Sequence, residues 1–249
     1  MCRHLAYLGP PVSLRELLYA PKHGLHTQSY APREQRHGTV NADGFGVGWY
    51  DPGRAAPVRY RRAVPIWADA SFADLADVVR STCVVAAVRS ATEGFPVEES
   101  GAQPFRADGR LFSHNGVVGD YEAVEAALRA HGVTGVPDVR APLDSAALLG
   151  WAVRAWRSGA PLGEGLASAV AHTAAQATGR YNLLAADGTR LAATACGDTL
   201  YLKTASGDDG RPRAVVLASE PTDDAADWRP VPDGSLVVAD LEGVEIRPL

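Results

Sequence analysis

Lysine is nearly absent from this 249-residue chain: Lys22 and Lys203 stand alone, and the other 22 of its 24 basic residues are arginine. Cysteine is scarce too. Cys2, Cys83 and Cys196 form an odd, widely spaced set with no CxxC pair, which excludes a disulfide framework and a cysteine-ligated zinc site. No apolar run approaches the roughly 18–20 residues that a membrane helix needs. The opening Met1-Cys2-Arg3-His4-Leu5-Ala6-Tyr7-Leu8-Gly9 lacks the long apolar core of a secretory signal, so the expected compartment is the cytoplasm. Nor is there an excess of basic charge. Against 24 Lys and Arg stand 29 Asp and Glu, a formal net charge of -5, whereas a nucleic-acid or anionic-membrane partner calls for a basic face. His23, His26 and His37 fall in one long polar stretch, but no HExxH or helical ligand spacing accompanies them, so a loop lining a substrate pocket is read there rather than a metal site. Internal repeats, low-complexity linkers and charge runs are all missing, and residues 2–249 read as a single domain.

What is present is ordinary globular material. A 46% hydrophobic share with 21% charged residues rules out a disordered chain. Cys2 to Leu8 reads as a short buried strand ended by Gly9-Pro10-Pro11, and Ser13-Leu14-Arg15-Glu16 matches a capping box opening a helix through Ala20. Pro21 to Asp43 shows no period and reads as a functional loop. Phe45 to Tyr50 predicts a strand with Arg59 to Val64 as its hairpin partner. A helix from Ser71 and a buried strand over Thr82 to Arg89 follow. Arg110 to Ser113 predicts another strand, stopping at His114-Asn115-Gly116. Apolar spacing of three and four predicts helices over about 120–131, 144–157 and 161–177. Strands are expected again over about 180–186, 190–195, 199–203, 213–218 and 235–247. Strands, then helices, then strands joined as hairpins point to antiparallel sheets with helices stacked outside them, an α+β layered domain.

Five places carry chemistry. Once Met1 is removed, Cys2 holds a thiol and a free α-amine on one residue; these titrate near ~8.5 and ~7.7–8.0, so the amine can serve as base for the thiol. A frayed terminus is the plain alternative. Asn41-Ala42-Asp43-Gly44-Phe45-Gly46-Val47-Gly48 enters a strand through three glycines, which allows close backbone approach to a ligand or simply a tight turn. Arg89, at the end of a strand and followed by Thr92, suits a bidentate carboxylate pair or an ordinary salt bridge. In His114-Asn115-Gly116 an asparagine amide and the next N–H can aim at one point, as an oxyanion hole requires; an Asn-Gly hairpin turn is the alternative. Asp144-Ser145 caps a helix start. Cys83 is read as an inert apolar filler, and Trp49 and Tyr50 as core.

Together these motifs resemble the class II glutamine amidotransferases, a branch of the N-terminal nucleophile hydrolases, over Cys2 to about Ser145. The resemblance implies a four-layer αββα sandwich of two antiparallel sheets. It implies that Cys2 is the nucleophile and that Asn115 and Gly116 stabilise the oxyanion. It further implies that Arg89 holds the α-carboxylate of a glutamyl group, with Thr92, His114, Gly44 and Asp144 around it, Asp144 binding the α-amine. Leu143-Asp144-Ser145-Ala146 lacks the leading Ser and closing Glu of many members, which leaves the Asp144 role the least secure. No metal or organic cofactor is implied; the partner is a small-molecule γ-glutamyl substrate, and the sequence carries no signal for oligomeric state.

A narrower resemblance rests on the segments 1–9, Gln28-Ser29-Tyr30-Ala31-Pro32-Arg33, 38–50 and Asp144-Ser145-Ala146. These look like the γ-glutamyl hydrolases of ergothioneine biosynthesis. They imply γ-glutamyl-hercynylcysteine sulfoxide as substrate, cleaved to glutamate and hercynylcysteine sulfoxide. A glutaminase subunit supplying ammonia to a separate synthase is the second reading.

Overall fold

A computed structural model describes residues 2–207 and 210–249 of the chain. β1 (Arg3–Ser13), α1 (Leu14–Leu18) and α2 (Leu25–Gln28) come first, then β2 (Phe45–Trp49), β3 (Val58–Arg62), α3 (Ala70–Val78) and β4 (Arg80–Val88). β5 (Phe105–Ala107) and β6 (Arg110–Val118) precede three helices, α4 (Tyr121–Ala130), α5 (Asp144–Arg157) and α6 (Leu162–Ala174). The remainder is strand: β7 (Gly179–Ala186), β8 (Leu191–Ala195), β9 (Tyr201–Ser206), β10 (Pro212–Ala218), β11 (Arg229–Pro230), β12 (Ser235–Ala239) and β13 (Val244–Pro248).

The strands form two antiparallel sheets, ordered β11-β9-β10-β1-β4-β2-β3 and β13-β12-β8-β7-β6-β5. Side-chain alternation assigns the layers. On β1, Ala6 and Leu8 meet Leu111, Leu184 and Ala193 of the second sheet in a core between the sheets. The intervening Leu5 and Tyr7 pack outward with Leu14, Leu17 and Phe72 of α1 and α3. On the far side, Phe112, Leu183 and Ala185 pack against α4, α5 and α6. The order is helix, sheet, sheet, helix: the expected αββα sandwich. Among the described residues no helix is long and apolar enough to cross a membrane.

Several local readings are corrected. β1 does not end at Gly9-Pro10-Pro11 but runs on to Ser13, its register with β4 shifting between Leu8 and Val12. That irregularity is where a strand tolerates prolines without losing ladder bonds. The 21–43 loop contains the short helix α2. β6 passes straight through His114-Asn115-Gly116, because β7 pairs with it from Leu111 to Val118. The stretch 235–247 is two strands, and the short β5 and β11 carry no period that a sequence reading could find. Asp144 lies inside α5 rather than capping it; the N-cap is Leu143.

Candidate active site

The register pairs Arg3 with Val88, so Cys2 falls opposite Arg89, and alternation turns both toward the second sheet. The Cys2 thiol is half-buried, with Sγ 3.8 Å from the Ser90 carbonyl oxygen. Met1 and its expected removal lie outside the described residues.

Arg89 is held by its backbone and its guanidinium. Its N–H donates to Gly44 O at 2.8 Å, and its carbonyl accepts from Asp43 N–H at 2.9 Å. Asp43 Oδ2 then takes the Ala91 N–H. Gly44 has φ +132°, a conformation side chains rarely adopt, and a Cβ there would lie 2.9 Å from Arg62 O. The glycine-rich segment is thus a clamp on the Arg89 backbone. The guanidinium donates to Pro96 O at 3.0 Å and lies against Gly101, where a Cβ would come within 2.9 Å of Cζ. Among the described residues no acidic side chain pairs with it, so its remaining donors can serve a ligand carboxylate. Thr92, half-buried, turns the chain back by accepting the Phe95 N–H.

Asn115 faces this end from the second sheet and is fully buried. Its Nδ2 lies 3.4 Å from Ser219 Oγ, and its Oδ1 has no partner. Ser219 Oγ already accepts the His4 N–H at 3.0 Å and has its own proton to give. Turning the amide half a revolution lets Oδ1 accept that proton and presents Nδ2 at the unpartnered position, as an oxyanion donor requires.

The Gly116 N–H is found by following the ladder. Tyr181 N–H bonds Cys196 O, and Gly119 N–H bonds Thr178 O. Even-numbered residues of β6 therefore direct N–H away from β7. On that edge His114 N–H goes to Gln103 Oε1 at 2.6 Å and Val118 N–H goes to Asp144 Oδ2 at 3.0 Å. The Gly116 N–H lies between them, and among the described residues no protein acceptor takes it. Gly116 is glycine because Arg180 O would sit 1.9 Å from a Cβ.

His114 stands apart from the others. It points to the opposite face of β6 from Asn115, toward α5. Its Nε2 donates to Arg180 O at 3.0 Å, which leaves Nδ1 to accept from Ser145 Oγ at 2.9 Å. Both ring nitrogens are occupied by these partners, which tie β6 to β7 and α5. Asp144 receives Ser145 N–H on Oδ1 and Val118 N–H on Oδ2, fixing a buried carboxylate just beyond Gly116.

Further residues complete the arrangement, among them Gln103 of the Gln103-Pro104-Phe105 segment that precedes the His114 motif in the sequence. Gln103 accepts from Ser113 Oγ and His114 N–H and donates to Ser145 Oγ, joining β6 to α5. His4 Nδ1 lies 3.2 Å from Ser113 Oγ and bridges the two sheets. Ser113 gives its proton to Gln103, so His4 donates, and burial, then the charges of Arg3 and His114, push its pKa down to about 3. His4 is neutral. Arg3 Nε donates to the Cys2 carbonyl at 2.8 Å, while Glu220 accepts the Arg33 and Glu34 N–H groups of the 21–43 loop. No local pattern distinguishes Glu220; its place after β10 brings it opposite Arg3. Cys83 is buried and inert, its thiol raised to about 12 by burial. Of the loop histidines, His26 stacks on Tyr19 at 4.8 Å and His23 pairs with Asp224.

An N-terminal thiol between two facing antiparallel sheets, beside a buried arginine and an unclaimed strand N–H, defines an N-terminal nucleophile amidohydrolase. A family model of the class II glutamine amidotransferases matches residues 23–206, and the chain belongs to that family. It is 45% identical, over all of its length and 97% of the other protein, to a gamma-glutamyl-hercynylcysteine sulfoxide hydrolase of Mycobacterium tuberculosis (strain CDC 1551 / Oshkosh). Identity to the protein of that name from Mycolicibacterium smegmatis is 42% with both chains fully covered. A glutamine aminotransferase class-II domain protein from Silicibacter pomeroyi has the same fold, with a TM-score of 0.70 at 24% identity and 99% of each chain covered.

Proposed function

We propose that this chain hydrolyses the γ-glutamyl amide bond of γ-glutamyl-hercynylcysteine sulfoxide, releasing glutamate and hercynylcysteine sulfoxide in ergothioneine biosynthesis. The observation that carries this reading is identity of 42–45% over the whole chain to hydrolases of that name. Residues 2–249 act as one catalytic domain. The Cys2 α-amine, freed by loss of Met1, takes the thiol proton, and the thiolate attacks the γ-carbonyl carbon. The tetrahedral oxyanion is held by Asn115 Nδ2 and the Gly116 N–H. The protonated amine gives its proton to the leaving nitrogen as the C–N bond breaks and a thioester forms. Water, deprotonated by the same amine, then releases glutamate and regenerates the thiol. Arg89 binds the substrate α-carboxylate and Asp144 its α-amine, with Thr92 and Gly44 shaping the pocket between them. His114 contributes by holding β6.

Glutamate release from this substrate and from glutamine, measured with untagged protein, tests the reading. A kcat/KM at least ~10²-fold higher for the sulfoxide is expected, because contacts to a leaving group can be used in the transition state. Equal rates, or glutamine cleavage that rises when a synthase is added, would replace it with the ammonia-supplying alternative.

A further inference from the structure

Ser219 is the first residue after β10 and is fully buried. Its backbone is pinned from two sides. Ala218 pairs with Leu5 in the β1–β10 ladder, and one step on the Ser219 N–H donates to the His4 carbonyl at 2.9 Å. The Ser219 carbonyl accepts from Thr199 Oγ1 at 2.8 Å. The residue therefore sits opposite His4, two positions from Cys2. Its side chain reaches the second sheet: Oγ accepts the His4 N–H at 3.0 Å and lies 3.4 Å from Asn115 Nδ2.

The hydrogen bonds at this hydroxyl can be counted. A serine oxygen has one proton to give and two lone pairs to offer. The His4 N–H takes the first lone pair, and Nδ2 of Asn115 faces the second at a long distance. In that arrangement the hydroxyl proton has no acceptor among the described residues, and the buried Asn115 Oδ1 has no donor. A half-turn of the amide leaves its shape unchanged and satisfies both: Ser219 donates to Oδ1, and Nδ2 takes the unpartnered position. The Ser219 proton is what favours this orientation over the other. A second link has the same origin, since His4 Nδ1 lies 3.2 Å from Ser113 Oγ. Ser113 and Asn115 share a face of β6, so one residue of the nucleophile strand reaches both.

We infer that Ser219 is a positioning residue for the oxyanion hole: its hydroxyl, oriented by the His4 N–H, donates to Asn115 Oδ1 and keeps Nδ2 turned toward the reacting carbonyl. The oxyanion donor and the thiol thereby share one frame, the backbone of β1. A donor fixed in advance has no reorganisation to undergo when the charge develops. The inference rests on the role given to Asn115 in the proposed function.

The test compares the full chain with Ser219→Ala, Ser219→Cys, Asn115→Ala and the double variant Ser219→Ala/Asn115→Ala. Glutamate release from γ-glutamyl-hercynylcysteine sulfoxide and from glutamine gives kcat and KM, and urea unfolding gives stability. Ser219→Ala is expected to lower kcat about 10-fold or more on both substrates with KM within about twofold, because an unaimed donor is missed in the transition state. Ser219→Cys fills similar space with a much weaker donor and should show the same loss with a urea midpoint near that of the unmodified chain. In the Asn115→Ala background, Ser219→Ala should change kcat by less than about twofold, since the group it positions is gone. Equal kcat losses from Ser219→Ala in both backgrounds would mean a general packing defect and overturn the inference. Unchanged kcat in Ser219→Cys or in Asn115→Ala would overturn it as well. If the unmodified chain cleaves glutamine as efficiently as the sulfoxide, the proposed substrate falls, and the coupling of Ser219 to Asn115 is decided on glutamine.

Discussion

Arg3 and Glu220 face one another across the β1–β10 ladder with fully buried side chains, their charged groups 3.9 Å apart and outside hydrogen-bond range. The terminal nitrogens of Arg3 have no hydrogen-bond partner among the described residues, and burial, opposed first by Glu220 and then by Asp198, lowers its pKa. Glu220 spends its hydrogen-bonding capacity elsewhere, on the N–H groups of Arg33 and Glu34. One buried carboxylate therefore joins the loop to the residue after the nucleophile.

Removing that carboxylate leaves a buried cation without its counter-charge. Glu220→Ala is expected to lower stability by about 3–5 kcal/mol, the range for breaking a buried pair from one side. The Arg33 and Glu34 amides should also lose protection in hydrogen exchange. Urea unfolding and exchange on the same protein check this, and unchanged exchange at both amides would mean that Glu220 does not anchor the loop.

Removal of Met1 is expected to be a separate requirement. Intact mass should show Met1 removed, and a non-cleavable N-terminal extension should abolish turnover because no free α-amine remains to take the thiol proton. Cys2→Ala should abolish turnover with the fold intact. Full activity of the extended protein would rule out the amine as base.

The helices at 120–131 and 144–157 were legible in the sequence because they rest on apolar spacing, and the hairpin partner near 59–64 because a turn precedes it, while the four layers came from the family resemblance. Boundaries failed where pairing overrode local signals. Pro10-Pro11 and Asn115-Gly116 are turn dipeptides by composition, yet β4 and β7 continue their ladders past them. Within the site, Cys2, Arg89 and Asn115 stood out because rare chemistry sat at a strand end. Ser219 and Glu220 did not, since a serine or glutamate after a strand looks the same whether it faces a nucleophile or water. The side to which His114 points was not legible for the same reason: on a strand, adjacent residues point to opposite faces, so belonging to a motif does not assign a side.

His4 makes stability sensitive to acid in a defined direction. Its folded pKa is about 3 against an ordinary 6.5, with burial the main cause. Between those values the unfolded chain binds a proton at this residue that the folded chain does not. The His4 contribution is therefore fully present above about pH 6.5 and is lost as pH falls toward about 3. His4→Asn, which keeps a donor for Ser113, should flatten the decline in urea midpoint between pH 7 and pH 5. Parallel declines in both proteins would locate the acid sensitivity elsewhere.

Arg89 and Asn115 should separate kinetically, one acting on the bound substrate and the other on the transition state. Arg89→Ala removes a charge-assisted carboxylate contact and should raise KM for every γ-glutamyl compound. Asn115→Ala removes one oxyanion donor and should lower kcat by about 10²–10³. If both variants altered KM alone, the oxyanion role of Asn115 would have to be given up.

Gly116→Ala tests the oxyanion strand by geometry alone. The added Cβ would meet Arg180 O at 1.9 Å and His114 Nε2 at 2.5 Å. Neither neighbour yields easily, because His114 donates to that same carbonyl and its ring is held by Ser145. β6 and β7 must part, or the 115–116 peptide must turn, and either movement redirects the Gly116 N–H. Overpacking of this kind costs about 1–3 kcal/mol of stability. A misaimed donor should lower kcat by about 10²-fold or more. KM should change little, since Arg89 belongs to the other sheet and its clamp at Gly44 is untouched. The pattern to look for is a lower urea midpoint together with a lower kcat at nearly constant KM. A destabilised variant with unchanged kcat would show that the Gly116 N–H takes no part in the reaction and would leave Asn115 as the donor to the oxyanion.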